Sequence, residues 1–318
     1  MDTQYFEDQI RQWLAPIGLS SLQLELRLPV RSDFQIPTLR GVWGRAVHLL
    51  DRKVYHAVFE GTGPANLVVP QYIIRQSRVS EPFQNKEGAL HAFLDFLTWG
   101  IDSEQRFLTL RAWDIASGMG LGTTREPFIV HKISNNYRDL YKEDEDEAID
   151  ESISLTSLLP AETEESELPC EVKFDIPLRL IREKHFVNEP DPRMIADAIL
   201  SRLAIIRCQC LNEWHGTDKV VHPADIRPDF HEELMDYVES IPYEPWQGSR
   251  YTMRRYSARQ KNDIDLDGIV GSLGFPVGTG ALYLLLKAAE QIHLGKTTTL
   301  GLGRPYLLIQ PFTQGYSD

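Results

Sequence analysis

The sequence predicts an α+β protein made of two tandem ferredoxin-like units, each RRM-like in its βαββαβ order of strands and helices. Three observations carry the prediction. The chain has 318 residues, long enough for two self-sufficient cores, since domains run to roughly 150 residues. One phrase occurs twice: Gly118-Met119-Gly120-Leu121-Gly122-Thr123-Thr124-Arg125 leads into Phe128-Ile129-Val130, and the stretch from Gly295 to Arg304 leads into Tyr306-Leu307-Leu308-Ile309. In both halves the apolar period also switches between strand-like and helix-like in the same order.

The first unit is expected over residues 1–135. Tyr5, Phe6, Ile10, Trp13 and Leu14 have the spacing of a short amphipathic lead-in helix. Leu22, Leu24, Leu26 and Leu28 alternate with polar residues, as in a strand with one wet face. A helix is expected from Pro37 to Phe59, strands over Leu67–Ile74 and Ala89–Leu97, a second helix over Ser103–Ser117, and a closing strand over Phe128–Ile133. An acidic linker or insertion follows at 136–169, poor in large apolar residues and expected to be partly mobile. The second unit, 170–318, repeats the order with a strand at Val172–Ile181, a helix at Pro192–Leu211, strands at Arg250–Ser257 and Ile264–Val270, a helix at Ala281–Ile292, and a last strand at Pro305–Ile309. Residues 212–248 do not fit the repeat and read as an insertion with one short helix near His231–Val238.

Composition excludes several classes of function. No apolar run approaches the roughly 20 residues that span a bilayer, and the N-terminus has acids where a signal peptide is basic. A cytoplasmic protein with no membrane partner is expected. Cys170, Cys208 and Cys210 suit neither a disulfide framework nor a zinc cage, so reduced structural thiols are expected. The net charge of −13 is mostly local, because eleven of the 46 acids fall within 143–167 and leave 35 against 33 basic residues elsewhere. A near-neutral body can present a basic face to phosphate.

Three familiar motifs fail on context. His293-Leu294-Gly295-Lys296-Thr297 lacks the earlier glycine of a P-loop, because position 290 is Glu290, and a helix leads into it. His231-Glu232-Glu233 has Met235 where a zinc protease helix needs its second histidine. Gly118–Gly122 precedes a strand, whereas a dinucleotide fingerprint opens a helix. No metal and no cofactor is expected.

The repeated helix, glycine loop and strand come with further phrases. These are Leu39-Arg40-Gly41, Pro70-Gln71-Tyr72-Ile73-Ile74-Arg75, Gly120-Leu121-Gly122 with Arg125, Ile176-Pro177-Leu178-Arg179-Leu180, Arg255-Tyr256-Ser257-Ala258-Arg259-Gln260, and His293-Leu294-Gly295-Lys296 with Gly301-Leu302-Gly303. In order and spacing this set resembles the RAMP superfamily of CRISPR-associated proteins, and within it the repeat-cleaving endoribonucleases numbered six among the Cas proteins. The resemblance implies a metal-independent nuclease that cuts CRISPR repeat RNA into guide RNAs. The 2′-hydroxyl would attack the adjacent phosphate, leaving a cyclic phosphate and a 5′-hydroxyl. Other Cas proteins of an effector complex are implied as partners. The alternative is a RAMP-type subunit that binds RNA or protein without cutting, since a fold does not fix its chemistry.

The family often carries its histidine in or near the first helix, where this chain has His48 and His56. Helical spacing puts Arg45, His48, Arg52 and Tyr55 on one face, with His56 at its edge. His48, Tyr55 and His56 are the catalytic candidates, and Arg45 and Arg52 are candidate phosphate contacts. A solvated basic helix surface would look the same. In the C-terminal loop, Gly295, Gly301 and Gly303 free the backbone while Lys296, Thr298 and Arg304 supply donors suited to phosphate oxygens. Glycines that simply let a strand pack beneath a helix would satisfy the same pattern. Arg255 and Arg259, interleaved with Tyr251 and Tyr256, suit an RNA backbone and unstacked bases.

Overall fold

The structure is a computed structural model. It describes residues 2–28, 35–64, 67, 69–77, 82–85, 88–122, 125–135, 138–139, 152–213, 221, 223–252, 254–257 and 262–309. The first half runs α1 (Thr3–Leu14), β1 (Gly18–Leu28), α2 (Ile36–Leu50), the single turn α3 (Arg52–Val54), β2 (Tyr72–Gln76), β3 (Phe83–Gln84), β4 (Leu90–Trp99), α4 (Ser103–Met119), β5 (Ile129–Asn135) and β6 (Arg138–Asp139). The chain continues through β7 (Ile153–Ser154), β8 (Cys170–Leu178), β9 (Ile181–Arg182), β10 (His185–Phe186), α5 (Pro192–Cys210), α6 (His231–Glu239), β11 (Glu244–Tyr251), β12 (Arg254–Ser257), β13 (Asn262–Asp265), β14 (Gly268–Phe275), α7 (Leu282–Ile292) and β15 (Tyr306–Ile309).

The main strands of the first sheet stand in the order β2-β4-β1-β5, and those of the second in the order β11-β14-β8-β15. Numbered within each half, both orders read second, third, first, fourth. This is the antiparallel ferredoxin-like arrangement repeated. In β1 the leucines at 22, 24, 26 and 28 are buried and the residues between them half-exposed, so the period-two pattern turns its apolar row inward. That row packs on Leu39, Trp43 and Val47 of α2 and Leu110, Trp113 and Ala116 of α4, forming the first core. A capping box between Asp102 and Gln105 starts α4. The second core joins Val172 and Phe174 of β8, Leu273 and Phe275 of β14, Ile199 and Leu203 of α5 and nearly all of α7.

The second core also takes residues from the first half: Phe6, Ile10 and Leu14 of α1, Leu19 of β1, and Ile73, Leu97 and Trp99. The lead-in helix therefore packs on the second half, with the Phe6 ring 5.0 Å from that of Tyr237. Trp99 Nε1 donates to Gln209 Oε1 at 2.9 Å, and Gln209 Nε2 donates back to the carbonyls of Thr62 and Val69. At the far end of the second core, Arg75, Arg202 and Arg304 donate to the carbonyls of Glu290, Gln291 and Ile292. Three cations thus meet the negative end of α7, where helical carbonyls lack partners of their own.

Several elements depart from the expected ones. The helix expected from Pro37 to Phe59 stops at Leu50 because Asp51 is extended (φ −152°, ψ 121°), and its carboxylate accepts from the N–H groups of Lys53 and Val54. The side chain caps a new turn, which continues as a π-helical stretch over Tyr55–Glu60. In the second half the second and third strands of the unit are β11 and β14, while β12 and β13 form a separate hairpin. Glycines hide this pairing from an apolar-period reading: a Cβ on Gly248 would lie 2.3 Å from the Val270 oxygen, so the two backbones approach too closely for side chains. Within the stretch expected as a linker, β7 pairs with β1, Leu155 and Leu159 join the second core, and the Ser166 carbonyl accepts from Thr279 and Gly280. Most of its acidic run, 143–151, lies outside the described residues.

Candidate functional site

His48 stands in the last turn of α2, and Tyr55 opens the π-helical stretch beyond the Asp51 break. The break removes the continuous helical face expected for Arg45, His48, Arg52 and Tyr55. It nevertheless brings the His48 and Tyr55 rings edge to face, 5.1 Å apart. Single π-type turns inside helices mark functional positions often enough to make this local geometry informative. His56 points elsewhere: it is exposed, and its Nδ1 lies 2.7 Å from Glu60 Oε2. Arg45 and Arg52 are both exposed.

Tyr55 is fixed from behind. Its ring stacks on Phe59 at 4.8 Å, and the Arg40 guanidinium covers Phe59 at 4.2 Å. Gly44 makes room for this stack, because a Cβ there would fall 2.1 Å from the Phe59 ring. Arg40 Nε donates to the Tyr72 hydroxyl at 2.7 Å, and Thr299 of the C-terminal loop lies near the same hydroxyl. Burial, only partly offset by the Arg40 cation, holds the Tyr72 phenol well above its ordinary range. Elements from both halves therefore converge behind the His48–Tyr55 pair. The sequence phrases containing Arg40 and Tyr72 were visible, but their contact spans 32 residues and no local pattern signals it.

The C-terminal loop lies against β2. Thr298, Gly301, Gly303 and Arg304 are buried, Gly295 is half-exposed, and Lys296 is exposed. Their donors are largely used inside the protein: Arg304 Nε binds the Glu290 carbonyl, and Gly303 N binds that of Pro177. Gly295 and Gly303 have positive φ, and a Cβ on Gly303 would lie 2.0 Å from the Leu294 oxygen. The close-packing function of these glycines is thus realised in full, and the open part of the loop is its tip at Lys296 and Thr297. Beside it a crevice of about 430 Å³ opens between the halves, lined by Arg75, Ser77, Leu300 and Gly301 among others. The backbone of Arg255 lies in β12, whereas Arg259 falls outside the described residues.

His293 closes α7 with a positive φ (57°, ψ 171°), wholly buried. Its Nδ1–H donates to the Leu302 carbonyl, leaving Nε2 as acceptor toward Arg75. Burial first, and the cations of Arg75 and Arg304 next, push its pKa well below the usual histidine value. Burial likewise raises the Cys170 thiol to about 11 and, with Glu213 beside it, the Cys208 thiol to about 12. Among the described residues no cluster of three His, Cys, Asp or Glu side chains is placed to hold a metal ion, and no described helix is long and apolar enough to cross a membrane.

Residues 172–305 match the family model of the CRISPR-associated endoribonuclease Cas6. The product complex of a Thermus thermophilus Cas6 superposes with a TM-score of 0.55 at 14% identity, covering 92% of this chain and 99% of that one. A chain of a partial Cas6-RT-Cas1–Cas2 complex superposes with a TM-score of 0.52 at 12% identity over 92% of this chain and 46% of its own length. At such identities the likeness is one of fold. No curated protein sequence matches the chain.

Proposed function

We propose that this Cas6-type chain binds CRISPR repeat RNA and cuts it without a metal ion, with His48 and Tyr55 handling the protons. The observation that carries the reading is the edge-to-face pair itself, 5.1 Å between ring centres, with exposed Arg45 one helical turn before it. In this reading the His48 imidazole accepts the 2′-hydroxyl proton as that oxygen attacks the adjacent phosphorus. The bond to the 5′ oxygen breaks, and the Tyr55 phenol supplies the leaving oxygen's proton. Arg45 faces the charge that gathers on the phosphorane. A positioned acid or base contributes about 10²- to 10⁴-fold, and fixed cations stabilise the developing charge further. The Arg40–Tyr72–Thr299 connection supports the pair from behind, so the two halves act together. His56, tied to Glu60, would have a minor role. Guide-RNA production would place the chain in the cytoplasm, among other Cas proteins.

The test is incubation with the repeat RNA of its own locus in excess EDTA, followed by analysis of the product ends. A cyclic phosphate and a 5′-hydroxyl are expected, with cutting slowed at least about 100-fold in His48→Ala while RNA binding persists. Products ending in a 3′-hydroxyl, or cutting abolished by EDTA, would overturn the chemistry. RNA that is bound but never cut would make the chain a binding subunit.

A further inference from the structure

Among the described residues, nothing requires Gly41 to be glycine. It lies inside α2, where glycine weakens a helix. A Cβ built on it meets nothing within 4 Å, in contrast to Gly44 one turn later, which the Phe59 ring requires. Across from α2, Gly122 in the first glycine loop is also open: its φ of 70° explains the residue type, yet nothing lies within 4 Å of the position its Cβ would take. Both glycines line one cleft of about 400 Å³ together with Thr38, Arg45, Met119 and Arg125. Among the described residues, no acidic side chain lines it. Arg45 and Arg125 are exposed, and neither has an ion-pair partner among the described residues.

We propose that this cleft between α2 and the first glycine loop is a phosphate-binding subsite for the RNA strand, holding the backbone next to the phosphate that is cut. The proposal rests on the reading that the chain binds RNA and extends it from Arg45, which that reading already uses, to a cleft beyond the cutting site. Two guanidiniums line the cleft, and no described carboxylate does, which suits a phosphodiester oxygen. Two missing side chains leave room for a ribose-phosphate chain to lie directly on helix and loop. Arg45 links the cleft to the site, because it sits three residues before His48 and such residues are neighbours on a helix surface. The strand would run from His48 along α2 toward Arg125.

The experiment uses the full chain and a 2′-O-methyl form of the repeat RNA, which cannot be cut, with an unrelated RNA of equal length beside it. Affinity is measured across a salt series for the unsubstituted chain, Arg125→Ala and Gly41→Leu. Arg125→Ala is expected to weaken both RNAs to a similar degree and to reduce the slope of log affinity against log salt by about 1. Gly41→Leu fills the cleft and is expected to weaken binding while raising the melting temperature, because leucine is the better helix former. That opposite movement separates a blocked site from a damaged fold. Variants that bind with unchanged affinity and salt slope overturn the subsite and leave the nuclease reading standing. An unsubstituted chain that binds neither RNA removes both.

Discussion

A buried neutral histidine makes stability depend on pH in a fixed direction. His293 is held below its ordinary pKa by burial and by Arg75 and Arg304, so in the folded chain it stays neutral where the unfolded chain takes up a proton. As the pH falls below about 6.5 the unfolded state binds the extra proton, and stability drops by at most about 1.4 kcal/mol per pH unit until the folded pKa is reached. Above that range this contribution is constant. Thermal melts between pH 7.5 and 5 should show the decline, and His293→Asn should flatten it, since the amide takes up no proton in this range. An equal slope in the variant would place the titrating group elsewhere. At this scale the sequence was legible where chemistry is local: His48 and Tyr55 stood out, and they do meet. The role of His293 was not, because its partners Arg75 and Leu302 come together only in the folded chain.

Among elements, the glycine loops show how one residue type serves opposite ends. Gly303 is locked: its φ is 72°, and a Cβ would collide with the Leu294 oxygen. Gly303→Ala is expected to cost about 3 kcal/mol, combining backbone strain with a broken close contact, and urea denaturation would measure it. A loss under about 1 kcal/mol would mean the loop relaxes freely. The repeated phrase and most helices and strands were readable from period and caps. The break at Asp51 was missed because the apolar stripe runs on through Val54 and Val58, although an aspartate directly ahead of a helical turn is itself a cap signal. The strands β11 and β14 were misplaced because glycines carry no polarity for a pattern to use, and the exposed edge strand β11 has no alternation to display.

For the whole molecule, the join between the halves is as well made as either core. Gln209 bonds Trp99, Thr62 and Val69 together, all of them from the other half. Gln209→Ala would leave a buried indole N–H and two part-buried carbonyls without this partner, at a cost on the order of 3 kcal/mol. Denaturation followed by both fluorescence and circular dichroism should show one transition that shifts as a unit. Two transitions, of which only one moves, would contradict a shared core. None of this was visible along the chain, since Trp99 and Gln209 are 110 positions apart. The sharing of Phe6, Leu19, Ile73 and Trp99 with the later half also bears on synthesis. A nascent chain leaves the ribosome with those side chains wet, and they find shelter only after α5 and α7 have followed, so the early half waits, sticky and unfinished, until those later helices have been made.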